Sequence, residues 1–400
     1  MTIITGNARR ADAWGPDAPY TAGGRPAAPL FAFLSADRPV LGYGQGAVLP
    51  RGPAATLGQR VATFFGDARR ARSILAGALP FDRGADDYLV QAATLAADIP
   101  DTEGPEKPAP RWRLDYEPDA AGYARSVRRA LEIMREEAGS TGGLTKIVLS
   151  RSLLARADSA IDQPALLRRL AADPSVTAFM VPLPARDGAP RVLAGATPEL
   201  LLSKTGGRIL SHPLAGSARR QRDAAADSAA AAALARSDKD RREHAIVADF
   251  ILDTLAPYCR ELSAPEGTTL TSTASMWHLG TRIEGELKDA GISSAELAAA
   301  LHPTPAVCGL PRARAQALIG EIEPYDRDFY AGAVGWCDAA GDGAWYVSIR
   351  CAEIAGATAR LYAGAGIVPG SDPLAEADET AAKFGALMQA LGIESEEARP

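Results

Sequence analysis

Near its C-terminal end the chain runs through "YAGAVGWCD", "AWYVSIRCAEI" and "ARLYAGAGI", three strand-like segments separated only by "AAGDG" and "AGAT". This feature restricts the fold most. A parallel crossover needs a dozen residues or more, so connections this short join antiparallel neighbours. Upstream, "TKIVLSRSLLA", "VTAFMVPLP", "RVLAGA", "ELLLSK" and "RILSHPL" read as further short strands with brief turns between them. Helices interleave with them. "YARSVRRALEIMREEAG" carries Val127, Leu131 and Met134 on one stripe, and the Ala-rich 224–236 reads as an exposed helix. Another helix starts near Ser237, runs to about Leu255 and places Val247, Phe250, Ile251 and Thr254 on one face. The expected fold is mixed α/β (α+β) with an antiparallel meander, not a Rossmann-type array. GxGxxG is absent; the glycines of "YAGAGI" suit either a tight turn or backbone N–H groups that receive an anion.

Four hundred residues permit one large domain or two to three ordinary ones. With 47% hydrophobic residues the chain can bury a sizeable core. A net charge of −6 argues against nucleic acid as partner. No run of about 18 apolar residues indicates a membrane span. The N-terminal "MTIITGNARRADAWGPDAPY" lacks the apolar stretch of a secretory signal, so a cytoplasmic location is expected. Cys259, Cys308, Cys337 and Cys351 have no CxxC spacing and read as reduced, buried thiols. His212, His244, His278 and His302 are scattered, which disfavours zinc. "IPDTEGPEKPAP", 99–110, is a Pro-rich connector after an uninformative first hundred residues.

Candidate chemistry lies in two acidic pairs. "SDKDRREHAIVADFILD" holds Asp240 and Glu243, and "LAEADETAAKF" holds Glu376 and Glu379. Acidic residues three apart are common in a helix's first turn, where the macrodipole is positive. They also lie on one face, so two such helices facing each other would suit Mg²⁺, which is held by one or two carboxylates plus substrate and water. Spacing alone leaves both readings open. Lys146 opens a strand and Glu199 follows a proline, and each is equally an exposed polar residue. Arg350, read as lying inside an apolar strand, needs a partner such as a carboxylate, which an anionic ligand could also supply. "HPLAGSARR" and "LHPTPAVCGLPR" read as loops whose small residues let backbone approach a ligand.

Taken together and in order, the segments "KIVLSR", "GATPELLL", "PLAGSARR", "KDRREH", "MWHLGTRIEGEL", "LHPTPAVCGLPR", "EPYDRDFYAGAVGWCD", "SIRCAEI", "LYAGAGIV" and "DPLAEADETAAKF" resemble the chorismate-utilising enzymes, and among them the isochorismate synthases. The match covers roughly residues 120–392. The resemblance implies large antiparallel sheets around a central cleft with helices outside, as in anthranilate synthase component I. It further implies residues 111–400 as the chorismate-binding region and 1–110 as part of the same single domain. Glu243 and Glu379 would hold Mg²⁺, with Asp240 and Glu376 beside them or acting through water. Lys383 would face the ring carboxylate of chorismate. Arg350, Tyr362, Gly364 and Gly366 would hold the enolpyruvyl carboxylate, and Gly216, Ser217 and His278 would line the ring. Lys146 would be the general base that activates water, and Glu199 the general acid that protonates the departing hydroxyl. A carboxylic acid does this near neutral pH only if its pKa is raised, and a lysine acts as base only if its pKa falls.

Within the family, Lys146 points to water as nucleophile and away from an amide-forming member with a glutaminase subunit. Ala306 stands where relatives forming aromatic products carry Thr, which favours stopping at isochorismate. Tyr362, where some isochorismate synthases have Phe, keeps salicylate synthase as the alternative. A non-catalytic chorismate or metal binder would be expected had Lys146 or Glu199 been missing. A monomer and the 2,3-dihydroxybenzoate siderophore route complete the expectation.

Overall fold

The computed structural model describes residues 28–36, 38–96 and 110–393. The N-terminal twenty residues and nearly all of the 99–110 connector lie outside them. Seventeen strands pair into one sheet and three more form a small second one. Every pairing named here is antiparallel. Followed through its hydrogen bonds, the large sheet begins at Cys259–Ser263 and passes through Ile283–Leu287, Arg208–His212, Leu200–Thr205, Gly343–Val347 and Ala333–Asp338. It continues through Ile74–Leu79, Tyr88–Ala96, Val40–Val48, Phe31–Leu34 and Thr177–Arg186. The far end is Ala189–Thr197, Cys351–Ala355, Thr358–Ile367, Lys146–Ala157 and Trp112–Glu117.

The meander expected from the short connections is present: Ala333–Asp338 pairs with Gly343–Val347, and Cys351–Ala355 with Thr358–Ile367. The segment "AWYVSIRCAEI" is not one strand, however. It breaks at Ser348–Arg350, and its halves pair in distant parts of the sheet. Arg350 sits in the break with φ 50°, outside any strand. The same jump occurs at Pro198–Glu199, between Ala189–Thr197 and Leu200–Thr205. The two jumps lie side by side. Ala196 N donates to Arg350 O (3.0 Å), and Val347 N donates to Glu199 O (3.1 Å).

Two loop expectations are also corrected. "PLAGSAR" contributes the strand Leu214–Arg219, which pairs with Met276–Thr281 in the small sheet through a register shift between Ala215 and Ser217. Gly216 stands in that shift with φ 77°, a backbone that glycine adopts without a Cβ clash. "YAGAGI" lies inside the strand Thr358–Ile367 and is no turn. The helices fall where periodicity places them, at Ala120–Glu136, Ala224–Arg236 and Asp238–Leu255. The Ala-rich one is not wholly exposed, since Asp227, Ala231 and Leu234 are buried. A main core gathers Phe31, Phe33, Tyr123 and Trp345; a second packs Leu166, Leu361 and Phe384 beneath the helices Gln163–Leu170 and Pro373–Leu391. All four cysteines are free and buried. Among the described residues no helix is long and apolar enough to cross a membrane.

Close backbone packing carries a testable cost. Gly77 and Gly335 face each other across neighbouring strands. A Cβ on Gly335 would lie 2.4 Å from Ala344 O and 2.6 Å from the Trp345 ring, and neither can withdraw cheaply. Gly335→Ala should cost ~1–3 kcal/mol as overpacking and lower the melting temperature by a few degrees. Thermal unfolding that does not move would show that the strand pair has room to spare.

Candidate active site

The two jumps place Glu199 and Arg350 against one cleft, and four further elements close it. The small sheet supplies Gly216, Ser217 and His278, with Ser217 and His278 directly paired. The helix Asp238–Leu255 supplies Lys239, Asp240 and Glu243. The strand Thr358–Ile367 supplies Tyr362, Gly364 and Gly366, and the helix Pro373–Leu391 supplies Glu376, Glu379 and Lys383. Ala306 lies in the wall as well. Lys146 is fully buried behind this surface. The pleat aims it to the same side as Val148, two residues on, which does line the cleft.

Local rules explain where the acidic pairs fall. Ser237 caps its helix by accepting from Asp240 N, and Asp372 caps the later helix by accepting from Leu374 N and Ala375 N. Asp240 and Glu376 therefore sit in first turns, as a plain helix start requires. Glu243 and Glu379 lie further in, and both pairs face the cleft. Glu376, Glu379 and Lys383 follow i, i+3, i+7 spacing along one face.

Three carboxylates meet an ammonium group. Lys146 Nζ lies 3.0 Å from Glu243 Oε1, without the alignment of a hydrogen bond. Lys239 Nζ donates to Glu376 Oε1 (2.7 Å), and Lys383 pairs with Glu379 (2.7 Å) while donating to Gly364 O (2.8 Å). Ser217 Oγ donates to Glu379 Oε1 (2.9 Å). Burial opposes the charge on Glu379, but Lys383 and Ser217 hold its carboxyl below the usual range. Asp240 is pushed up by burial and by neighbouring Glu243 and Glu379; Glu376 is pushed up by burial, with Glu379 adding to it. Gly366 lets Glu243 come in, because a Cβ there would lie 2.1 Å from Glu243 Oε1.

Glu199 is 3% exposed, and burial raises its pKa to about 8 despite the Leu214 backbone hydrogen bond and the charges of Lys146, Arg350 and Lys383. The exposed reading of both Glu199 and Lys146 is set aside, since both are buried. His278 is lowered to about 3 by burial and by Arg350 and Lys383, so it is neutral, and its Nε2 has no partner among the described residues. Arg350 finds no carboxylate partner among the described residues; its guanidinium lines the cleft and is available to an anion. Sequence reasoning missed Lys239 and Tyr330. Lys239 stands beside Asp240 and only its neighbours drew attention. Tyr330 stacks on Tyr362 at 4.5 Å and 7° and lines the same wall.

Among the described residues no three His, Cys, Asp or Glu side chains stand close enough together to hold a metal ion. The donor set still fits a hard divalent cation. It is all carboxylate oxygen, two of its members are raised by burial with neighbouring carboxylates adding to it, and Mg²⁺ needs only one or two such groups.

With the cleft defined, its relatives are informative. The family described as chorismate binding enzyme matches residues 80–392. Isochorismate synthase DhbC of Bacillus subtilis (strain 168) is 43% identical over 349 residues, spanning 85% of this chain and 86% of that one. A solved structure, a putative 2,3-dihydroxybenzoate-specific isochorismate synthase, DhbC from Bacillus anthracis, superposes with TM-score 0.84 at 38% identity, over 92% of this chain and 97% of the other. Anthranilate synthase component I from Streptococcus pneumoniae TIGR4 shares the fold, with TM-score 0.63 at 18% identity over 86% and 81% of the chains. This chain belongs to the chorismate-binding enzymes. Relatives 36–43% identical to it along most of both lengths carry the name isochorismate synthase.

The raised pKa of Glu199 has a signed consequence. The folded chain keeps a proton that the unfolded chain, with an ordinary value of 4.5, gives up. Stability therefore falls as pH rises from about 4.5 toward about 8 and is level beyond. Glu199→Gln removes this loss. Its melting temperature should gain on that of the unaltered chain through the window, then run parallel. A difference that stays constant across it would mean that Glu199 is ionised in the fold.

Proposed function

We infer that this chain works as an isochorismate synthase, interconverting chorismate and isochorismate. The observation that carries the reading is Glu199: a buried carboxylic acid with its pKa raised to about 8, hydrogen-bonded through its backbone to the segment that bears Arg350. Water adds at ring C2 while the hydroxyl at C4 departs from the other end of the allylic system. Glu199 protonates the departing oxygen, for which an acid near neutral pH is required. Lys146, on the Glu243 side, takes the proton from the attacking water. Arg350, which no carboxylate among the described residues pairs with, receives the enolpyruvyl carboxylate with Tyr362 and the backbone at Gly364 and Gly366. Lys383 faces the ring carboxylate, and Gly216, Ser217 and neutral His278 bound the ring. Glu243 and Glu379, with Asp240 and Glu376 beside them, would hold Mg²⁺, whose charge would orient the ring carboxylate and stabilise negative charge.

Ala306 supports stopping at isochorismate. A methyl group there offers no hydroxyl to fix the geometry in which the C2 hydrogen reaches the enolpyruvyl methylene carbon. Salicylate synthase, which adds that elimination, is the second reading. We further propose one structural domain; pairing of Phe31–Leu34 with Thr177–Arg186 and of Ile74–Leu79 with Ala333–Asp338 supports it. A monomer without a glutaminase subunit, acting toward 2,3-dihydroxybenzoate in the cytoplasm, completes the proposal.

Incubation with chorismate and Mg²⁺, followed by chromatography, should give a plateau containing both isomers and little pyruvate. Rapid stoichiometric pyruvate and salicylate would promote the second reading. Lys146→Ala and Glu199→Gln should each lower kcat ~10²–10⁴-fold with smaller changes in KM. A Lys146→Ala variant that mainly raised KM would make Lys146 a binding residue.

Chelation of Mg²⁺ should abolish turnover, and Glu243→Gln or Glu379→Gln should nearly do so while thermal unfolding shows an intact fold. Full activity of either at ordinary Mg²⁺ would remove that residue from the metal set.

A further inference from the structure

Apart from the residues that line the cleft lies a buried ion pair. Arg327 is 3% exposed and Glu323 is 8% exposed. Arg327 Nε donates to Glu323 Oε2 (2.8 Å), and one terminal nitrogen donates to Glu323 Oε1 (2.5 Å). The remaining hydrogen bonds of Arg327 go to main chain. Arg327 donates to Val148 O (2.7 Å) and Val307 O (2.8 Å). Glu323 Oε1 in turn accepts from Ser150 N (2.7 Å) and Ser150 Oγ (2.9 Å). The guanidinium lies over Phe81, 4.5 Å from its centroid, and beside Tyr330.

These targets are the backs of cleft residues. Val148 and Val307 line the cleft, Lys146 is two residues before Val148, and Ala306 adjoins Val307. Val148 N donates to Cys308 O, so the strand and the loop are already in contact there. Arg327 adds a planar fork that fixes both carbonyls to one carboxylate. Lysine has no such fork and would reach fewer of these partners. A pair that served stability alone is readily replaced by apolar side chains; here the hydrogen bonds converge on the two segments bearing Lys146 and Ala306.

We propose that Arg327 and Glu323 are positioning residues for the proton transfer at Lys146: they set the strand Lys146–Ala157 against the 306–308 loop. The proposal rests on the assignment of Lys146 as the base. Its magnitude follows from how steeply proton transfer depends on placement. A misplacement of about 1 Å costs on the order of 10²-fold.

The test is a double-mutant cycle on the full chain with chorismate. Arg327→Lys should lower kcat ~10–100-fold with KM changed less than about threefold. In the Lys146→Ala background the same substitution should cause little further loss, because positioning acts only through a base that is present. Glu323→Gln, which keeps an acceptor for Ser150, should repeat the pattern and serves where Arg327→Lys does not fold. Equal fractional losses with and without Lys146, a rise in KM without loss of kcat, or unchanged kcat would each overturn the proposal. Full activity of Lys146→Ala alone would instead remove the base assignment on which it rests.

Discussion

The structure depends on two adjacent passages of the chain between distant parts of one sheet. At Pro198–Glu199 and at Ser348–Arg350 the backbone leaves one set of strands and joins another. Each passage satisfies a main-chain group of the other: Ala196 N on Arg350 O, and Val347 N on Glu199 O. Buried backbone groups must find partners, so neither passage has its observed form alone. This is why a glutamate and an arginine with φ 50° are held where no regular strand would place them. The proposed acid and the proposed anion receptor are thus fixed by sheet topology, and precision comes from ladder hydrogen bonds on either side.

The second organising force is charge balance. The four carboxylates of the two acidic pairs repel one another, and burial, with that repulsion added, makes two of them hold their protons more tightly. Lys146, Lys239 and Lys383 each meet one carboxylate. Together they leave a surface that tolerates burial yet can accept either a cation among the acids or an anion at Arg350 and Lys383. A doubly charged substrate needs both kinds of place. The proposed Mg²⁺ requirement follows from the same accounting, because a divalent cation relieves carboxylate crowding more fully than monovalent ammonium groups do.

Much of this was legible in the sequence. Short connections gave the antiparallel meander, helical periodicity gave the helices, and ordered motifs gathered the cleft residues from far-separated positions. What was not legible depends on long-range pairing. A strand pattern cannot show that "AWYVSIRCAEI" changes sheet neighbours at Arg350, since both halves are apolar and β-prone. The register shift at Gly216 looks like a loop because its residues are small. Lys146 looks exposed because burying a lysine makes sense only once Glu243, about a hundred residues later, is beside it.

Gly366 shows how such distant choices lock together. Within the strand Thr358–Ile367 it carries no side chain, and glycine there weakens the strand. The gain is space: Glu243 enters where any Cβ would sit 2.1 Å from its oxygen, and from there it reaches Lys146 on the neighbouring strand. Gly216 does the same for Asp240, whose Cβ would lie 2.9 Å from a Cβ at position 216. Asp240 and Glu243 of the helix Asp238–Leu255 therefore depend on glycines in two different sheets. Local propensity is given up at those two positions, and the cleft is built from what that leaves open.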